Sequence, residues 1–375
     1  MKTLYRLFPF LLVIFAVFGV GCSHADNAAI EKAVSGELNL LKDLDAESAA
    51  QYISAAELFP DASGTEQLSS ELNEVFPLFF QNFDYKILKT TVDKKKSSAH
   101  ADVRIRTIDA QALARDYASS YIRSDIKAAA QTSGSRQGSI SLEDRILLID
   151  HLLTSKEYEL VDTESTLALE YRDNGWQLVH NVALQDALVG GLISDLSDPE
   201  ILSPEDTLKI YLKAIKKMDA TEMSNFLGIS SVLEQDDASR KAIANALLEQ
   251  VQKTFDYKVT GSTVDGYEAD VTALITTFDS DSIIQSYQED MDPYLSSPQA
   301  VMDGYEERSR ISQQELLDHI RSNTLSVQNE STFAMYNDGV SWKLKNPGSS
   351  LGKAIFGSLA DMNVPEETGS GDATV

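Results

Sequence analysis

The tetrapeptide Phe83-Asp84-Tyr85-Lys86 returns as Phe255-Asp256-Tyr257-Lys258, and Thr91-Val92-Asp93 returns as Thr263-Val264-Asp265, with the same 172-residue shift from 83 to 255 and from 91 to 263. Two matches at one offset identify an internal duplication, so whatever one copy folds into, the chain folds into twice. Ala101-Asp102-Val103 answers Ala269-Asp270-Val271, and Asp150-His151 answers Asp318-His319, both after a small deletion in the second copy. Tyr171-Arg172-Asp173-Asn174-Gly175-Trp176-Gln177-Leu178 parallels the run Tyr336 to Leu344, and Ala187 to Leu192 parallels Ala354 to Leu359. With 375 residues, 43% hydrophobic and 24% charged, the chain can build two ordinary cores.

The junction is turn-rich from Ser194 to Glu200, and Ser203-Pro204-Glu205-Asp206 marks a helix start. Ser203 caps, Pro204 takes the first helical position where its missing N–H is harmless, and Asp206 completes a capping box. The repeats are therefore expected at 29–196 and 203–363. The tail 364–375 has no periodicity and too few apolar residues to offset ordering entropy, which predicts disorder.

Within each copy helices come first, with apolar spacing at Ile30, Val34, Leu38, Leu41 and at Leu208, Tyr211, Leu212, Ile215. Alternating, branched stretches at 85–92, 101–108, 257–264 and 269–278 predict strands. Helical material follows, with capping boxes expected at Ser141…Asp144 and Ser312…Glu315. A closing hairpin turns around Asp173-Asn174-Gly175 in one copy and Asn337-Asp338-Gly339 in the other, and a short apolar helix ends each repeat. The predicted class is α+β: two tandem homologous domains, each with N-terminal helices packed on a curved antiparallel sheet that carries a helical insertion.

Ahead of the repeats, Lys2 and Arg6 precede an apolar run from Leu7 to Val20, which ends Gly19-Val20-Gly21-Cys22. That is the layout of a secretory signal. It resembles the lipobox of bacterial lipoproteins, with Gly19 where the usual box has leucine. The resemblance implies a signal peptide at 1–21, cleavage before Cys22, a diacylglycerol bearing chains such as palmitate on the Cys22 thiol, and a lipidated linker at 22–28. Competing readings are an ordinary secretory signal with a stray thiol, a buried structural cysteine, or an uncleaved anchor, for which the run is short of the about 20 apolar residues that span a bilayer. Cys22 is the sole cysteine, so no disulfide can form within the chain. The expected place is the extracytoplasmic face of the cell membrane, held by lipid.

The formal charge is −26, and without Lys2 and Arg6 it becomes 30 basic against 58 acidic side chains, or −28. Nucleic acid is bound through cationic neutralisation of phosphates, so it is a poor partner for such a surface. Cationic peptides, metal ions and basic envelope proteins suit it better.

The early Tyr-Lys strand (Tyr85-Lys86, Tyr257-Lys258) and the hairpin residues Gly175, Trp176, Leu178 and Gly339, Trp342, Leu344, together with the lipobox, resemble tandem lipoprotein domains of the nuclear transport factor-like (cystatin-like) superfamily from Gram-positive bacteria. The resemblance implies helices over a curved sheet with a pocket between them, and includes many families of unknown function.

Two catalytic signatures are missing: there is no His-Glu-x-x-His and no phosphate loop. The histidines stand at 24, 100, 151, 180 and 319. In Asp150-His151 and Asp318-His319 the neighbours diverge by about 100° on a helix, so neither pair is a dyad; a helix-end role for the imidazole is favoured. The acidic runs Asp279-Ser280-Asp281 and Glu289-Asp290-Met291-Asp292 lack the EF-hand glycine and closing glutamate, so a solvated face is favoured over calcium, and no metal or other cofactor is expected. Tyr85, Trp176, Tyr257 and Trp342 are candidate pocket residues, with core packing as the competing reading. The expected function is non-enzymatic binding of a small ligand, a peptide or an envelope partner; an envelope hydrolase or isomerase using a pocket Asp, His or Tyr, and a structural spacer, are the alternatives.

Overall fold

The computed structural model describes residues 26–43, 58–59, 75, 77–93, 97–131, 141–228 and 238–361. Cys22, the predicted signal segment 1–21 and the tail 364–375 lie outside the described residues. The chain divides into two compact units, one within Met1–Ser120 and Ile140–Ile201, the other within Tyr121–Ser139 and Leu202–Val375.

In the first unit, helix α1 (26–42) begins inside the expected linker and turns Ile30, Val34, Leu38 and Leu41 fully inward. Each such side chain contributes roughly 1.5–3 kcal/mol by leaving water. A helical turn at 77–80 sets Phe79, Phe80 and Phe83 edge to face at centroid separations of 5.3 and 5.5 Å. Strands β1 (Asp84–Asp93) and β2 (Ser98–Ile108) follow, then α2 (Ala110–Gln131), α3 (Leu142–Ser155), β3 (Leu160–Arg172), β4 (Gly175–Leu178), α4 (Val182–Leu188) and α5 (Leu192–Leu196). From Tyr121 onward, α2 belongs with the second unit.

The second unit continues with α6 (Pro204–Ile215), α7 (Ala220–Phe226), α8 (Ala238–Thr254), β5 (Asp256–Asp265), β6 (Glu268–Phe278), α9 (Ser280–Leu295), α10 (Pro298–Ser322), β7 (Ser326–Asn337), β8 (Trp342–Leu344), α11 (Pro347–Phe356) and a 3-10 turn at Gly357–Asp361. The architecture is α+β. Each unit holds one four-stranded antiparallel sheet, ordered β1-β2-β3-β4 and β5-β6-β7-β8.

Period-two patterning fixes the faces of both sheets. On β2, Ala99, Ala101, Val103 and Ile105 are fully buried, while Arg104 and Arg106 point away and meet Glu164 and Asp162 across the strand at 2.6 and 2.7 Å. On β6 the buried set is Ala269, Val271, Ala273 and Ile275. The edge strands β1 and β5 each carry a bulge, at Leu88 between Ile87 and Lys89 and at Thr260 between Val259 and Gly261, again with the shift of the repeated tetrapeptides. Bulges there, and the short opposite edges β4 and β8, discourage pairing with other chains.

The registers correct two details of the repeat alignment. Asp93 pairs Ser98, five residues on, whereas Asp265 pairs Glu268, three residues on, so the second connection is two residues shorter. Ala101 is therefore equivalent to Val271, not Ala269. A slip of two keeps every side chain on its face, so sequence patterning cannot detect it. In the closing hairpins Tyr171 pairs Trp176 while Asn337 pairs Trp342, which makes Tyr171 the counterpart of Asn337 rather than of Tyr336. The first of these is a two-residue turn with Asp173 and Asn174 both at positive φ (51° and 62°), which suits the twist of the flanking strands.

Two helix starts fall where the capping pattern puts them: Ser141 Oγ accepts from Asp144 N–H, and Ser203 Oγ from Asp206 N–H, both at 3.1 Å. The box expected at Ser312…Glu315 is not a helix start. Helix α10 begins with the Ser297 cap and Pro298, bends at Gly304 (φ 71°), and carries Ser312 in its interior, hydrogen-bonded to the Tyr287 hydroxyl at 2.5 Å. No helix among the described residues is long and apolar enough to cross a membrane.

Candidate functional site

The repeated tetrapeptides are structural. Phe83 and Phe255 are buried, and each packs against the tyrosine two residues on, at 6.5 Å and 38° in one unit and 6.2 Å and 36° in the other. Asp84 takes a salt bridge from Lys42 at 2.7 Å and Asp256 one from Lys216 at 2.8 Å. The lysine hydrogen bond holds each carboxyl below its ordinary range. The Tyr85 hydroxyl donates to Asn39 Oδ1 at 2.9 Å.

The tyrosines and tryptophans proposed for a pocket do not meet. Tyr85 pairs Ile105, which pairs Thr163, while Trp176 pairs Tyr171, so the two rings sit on opposite edge strands and eight residues apart along β3. With about 4.8 Å between strands and about 3.3 Å per residue, that is roughly 14 Å across the sheet and 26 Å along it. Tyr257 and Trp342 stand at the same two corners of the second sheet. Trp342 is a core residue, 3% exposed, and Trp176 is half-buried with Tyr171 edge-on at 5.3 Å.

A concavity lies elsewhere, within the second unit. A groove of about 290 Å³ is lined by Arg123, Ile126, Lys127, Ala130 from the end of α2 and by Ile210, Lys213, Ala214, Lys217, Met218 and Glu222 from α6, the turn after it and α7. Ile126, Ala130, Ile210 and Met218 are buried and make an apolar floor. The four cations are exposed and form the rim. The end of α2 is pinned by Asn225, whose Nδ2 donates to Ala130 O at 2.9 Å.

Among the described residues no hydrogen bond or ion pair engages the side chains of Arg123, Lys127, Lys213 or Lys217. Arg123 and Lys127 are four apart on a helix, as are Lys213 and Lys217 across the end of α6. Like charges at that spacing cost about 0.2–0.5 kcal/mol per pair. The lone carboxylate of the lining, Glu222, is held by the capping box of α7, accepting Asp219 N–H at 3.2 Å. In a chain of net charge −26, a four-cation rim over an apolar floor suits an anion with an apolar portion. Sequence reasoning missed these residues; the two cation pairs at a spacing of four in so acidic a chain are the signal that was available.

The acidic runs divide into separate roles. Asp279 caps α9 through Ser282 N–H at 3.1 Å, and Asp281 accepts the Ser358 hydroxyl at 2.5 Å. Asp290 instead reaches across to His319 on α10, with Oδ2 3.0 Å from Nε2. Asp318 is turned to Gln314 at 3.0 Å, so Asp318-His319 is no dyad, as the helical geometry requires. His151 is exposed on α3, and His180 lies 3.2 Å from Glu37. Cys22 and His24 lie outside the described residues.

No protein-family model and no curated protein matches the sequence. Among solved structures, a Bacillus subtilis protein described as a "putative lipoprotein (ycdA)" is similar over 73% of this chain and 96% of its own, at 12% identity and a TM-score of 0.25. A likeness of that size carries no functional argument.

Proposed function

We propose that the protein is a lipid-anchored, extracytoplasmic binding protein without catalytic activity, whose second unit takes a small anionic ligand with an apolar portion in the cation-rimmed groove. The nuclear transport factor-like resemblance and the signal ending at Cys22 belong to the same reading. The observation that carries the groove reading is the rim itself: four exposed cations that, among the described residues, have no side-chain partners, gathered over buried Ile126, Ile210 and Met218 in a strongly acidic chain.

The groove reading is tested by titrating the full-length chain, purified in detergent, with a dansyl-labelled fatty acid. Saturable binding is expected. It weakens at least about tenfold in Lys213→Glu/Lys217→Glu, since two reversed charges at the rim are worth more than the 1.4 kcal/mol of one decade. The uncharged methyl ester binds as weakly as the fatty acid does to that variant. Equal binding by the double variant, or equal binding of the ester, would remove the groove from the function. The anchoring reading has its own test: Cys22→Ser leaves the protein unprocessed or releases it from the membrane, and undiminished retention of a processed chain contradicts it.

A further inference from the structure

We infer that His319, Glu315 and Asp290 form a binding site for a divalent transition-metal ion of zinc's class. Glu315 and His319 lie four residues apart on α10 and so share one helix face. Asp290 comes from α9, which packs against α10. Asp290 Oδ2 and Glu315 Oε1 both converge on one imidazole nitrogen, His319 Nε2, at 3.0 and 3.4 Å. The three donor atoms all fall within 4.8 Å of one another.

Direct hydrogen bonding leaves this arrangement incompletely satisfied. A ring nitrogen carries at most one proton, so it donates well to one carboxylate and not to two. Two carboxylates held together in an acidic chain also repel each other. A cation among the three atoms serves all of them. A first-row divalent ion sits about 2.0–2.2 Å from imidazole nitrogen and carboxylate oxygen, which places neighbouring donors roughly 3.0–3.5 Å apart in octahedral or tetrahedral coordination. The observed 3.0 and 3.4 Å separations are of that size. The third separation closes by rotation of Asp290, whose side chain is 60% exposed.

One nitrogen and two oxygens suit zinc, cobalt, nickel or manganese; calcium takes oxygen donors alone. Three protein ligands leave a coordination position for water or an incoming ligand. The histidine is the least mobile member, its side chain 18% exposed. Its turn of helix is fixed from α8, where the buried Gln250 amide donates to Ile320 O at 2.7 Å and Asn323 O at 3.2 Å.

The first repeat supplies a control. His151 is the sequence counterpart of His319, but four residues before it stands Leu147, 48% exposed, where the second repeat has Glu315. Counted from the equivalent cap residues Asp109 and Asp279, the position of Asp290 is taken by Ser120. The ligand set belongs to the second copy alone.

The test is titration of the untagged full-length chain with Zn²⁺ by calorimetry, with Co²⁺ absorption as a second readout. One equivalent is expected to bind more tightly than the background of the acidic surface. His319→Ala weakens that equivalent at least about tenfold and abolishes the cobalt visible band, and Zn²⁺ raises the melting temperature of the parent but not of the variant. His151→Ala leaves all three readouts unchanged. Glu315→Gln, which keeps the side-chain shape, carries the test if His319→Ala does not fold. Undiminished Zn²⁺ affinity in the His319 or Glu315 variant, loss of the tight equivalent in His151→Ala, or binding no tighter than background would overturn the assignment.

Discussion

Truncating the two tryptophans separately tests the division of labour between them. Trp342 and Trp176 are sequence counterparts on the terminal strands β8 and β4, yet Trp342 is 3% exposed and Trp176 is only half-buried. Removal of a fully buried tryptophan costs about 3–5 kcal/mol through lost transfer energy and the cavity left behind. For a unit of this size, about 2–4 °C of melting temperature per kcal/mol gives a fall of roughly 6–20 °C for Trp342→Ala. Trp176→Ala forfeits the edge contact with Tyr171, worth about 0.5–1.5 kcal/mol, and part of a burial, for roughly 1–2 kcal/mol in all. The chain contains two tryptophans, so each variant leaves a single reporter. In Trp176→Ala the remaining Trp342 should emit toward the blue and resist iodide quenching. In Trp342→Ala the remaining Trp176 should emit to the red and quench readily, while urea melts give the two costs. A larger loss for Trp176→Ala than for Trp342→Ala, or equal quenching of the two reporters, would refute the assignment of Trp342 to the core.

Gly190 adopts φ +64°, and a Cβ built there would lie 2.4 Å from the Thr107 hydroxyl oxygen. Gly190→Ala should therefore cost about 2–3 kcal/mol in urea melts, falling to about 1 kcal/mol of backbone strain in a Thr107→Ala background; an equal cost in both backgrounds would contradict the close approach. Burial works against ionisation of Asp338, but the Lys343 ammonium at 2.5 Å and the Ser341 and Val340 N–H groups outweigh it and hold the carboxyl below its ordinary value. A group depressed in the folded state stabilises above its unfolded pKa, about 3.9, and that stability is lost as pH falls through the folded value. Asp338→Asn should accordingly cost about 1 kcal/mol at neutral pH, at the low end because the pair is partly solvated, and its deficit should shrink below about pH 4 in melting curves. A deficit that is the same at pH 3 and pH 7 would show that the carboxylate charge is not what matters.

The element order, the buried faces and two of the helix starts were legible because they rest on local regularities. Ile30, Val34, Leu38 and Leu41 share a helix face by spacing alone, and Ser141 and Ser203 cap because a short side-chain oxygen three residues ahead of an N–H reaches it. The misreadings have the same source. A capping pattern at Ser312 is present, but good helix formers on both sides let α10 run through it. Matching Ala101 to Ala269 implies a four-residue deletion between β5 and β6 where the registers show two, a slip that strand patterning, repeating every two residues, does not reveal.

The candidate sites were not legible. From the sequence Asp290 reads as part of a solvated face because its partner stands 29 residues away on another helix, and the neighbour that sequence offers His319 is Asp318, which a helix turns elsewhere. Sequence determined the α+β class, most of the secondary structure and which face of each element is apolar, since those follow from hydrophobic periodicity and backbone capping over a few residues. Tertiary structure alone decided which charged side chains converge: Arg123 and Lys127 with Lys213 and Lys217, and Asp290 with Glu315 and His319. That convergence depends on how helices remote in the chain pack together, and no local period encodes it.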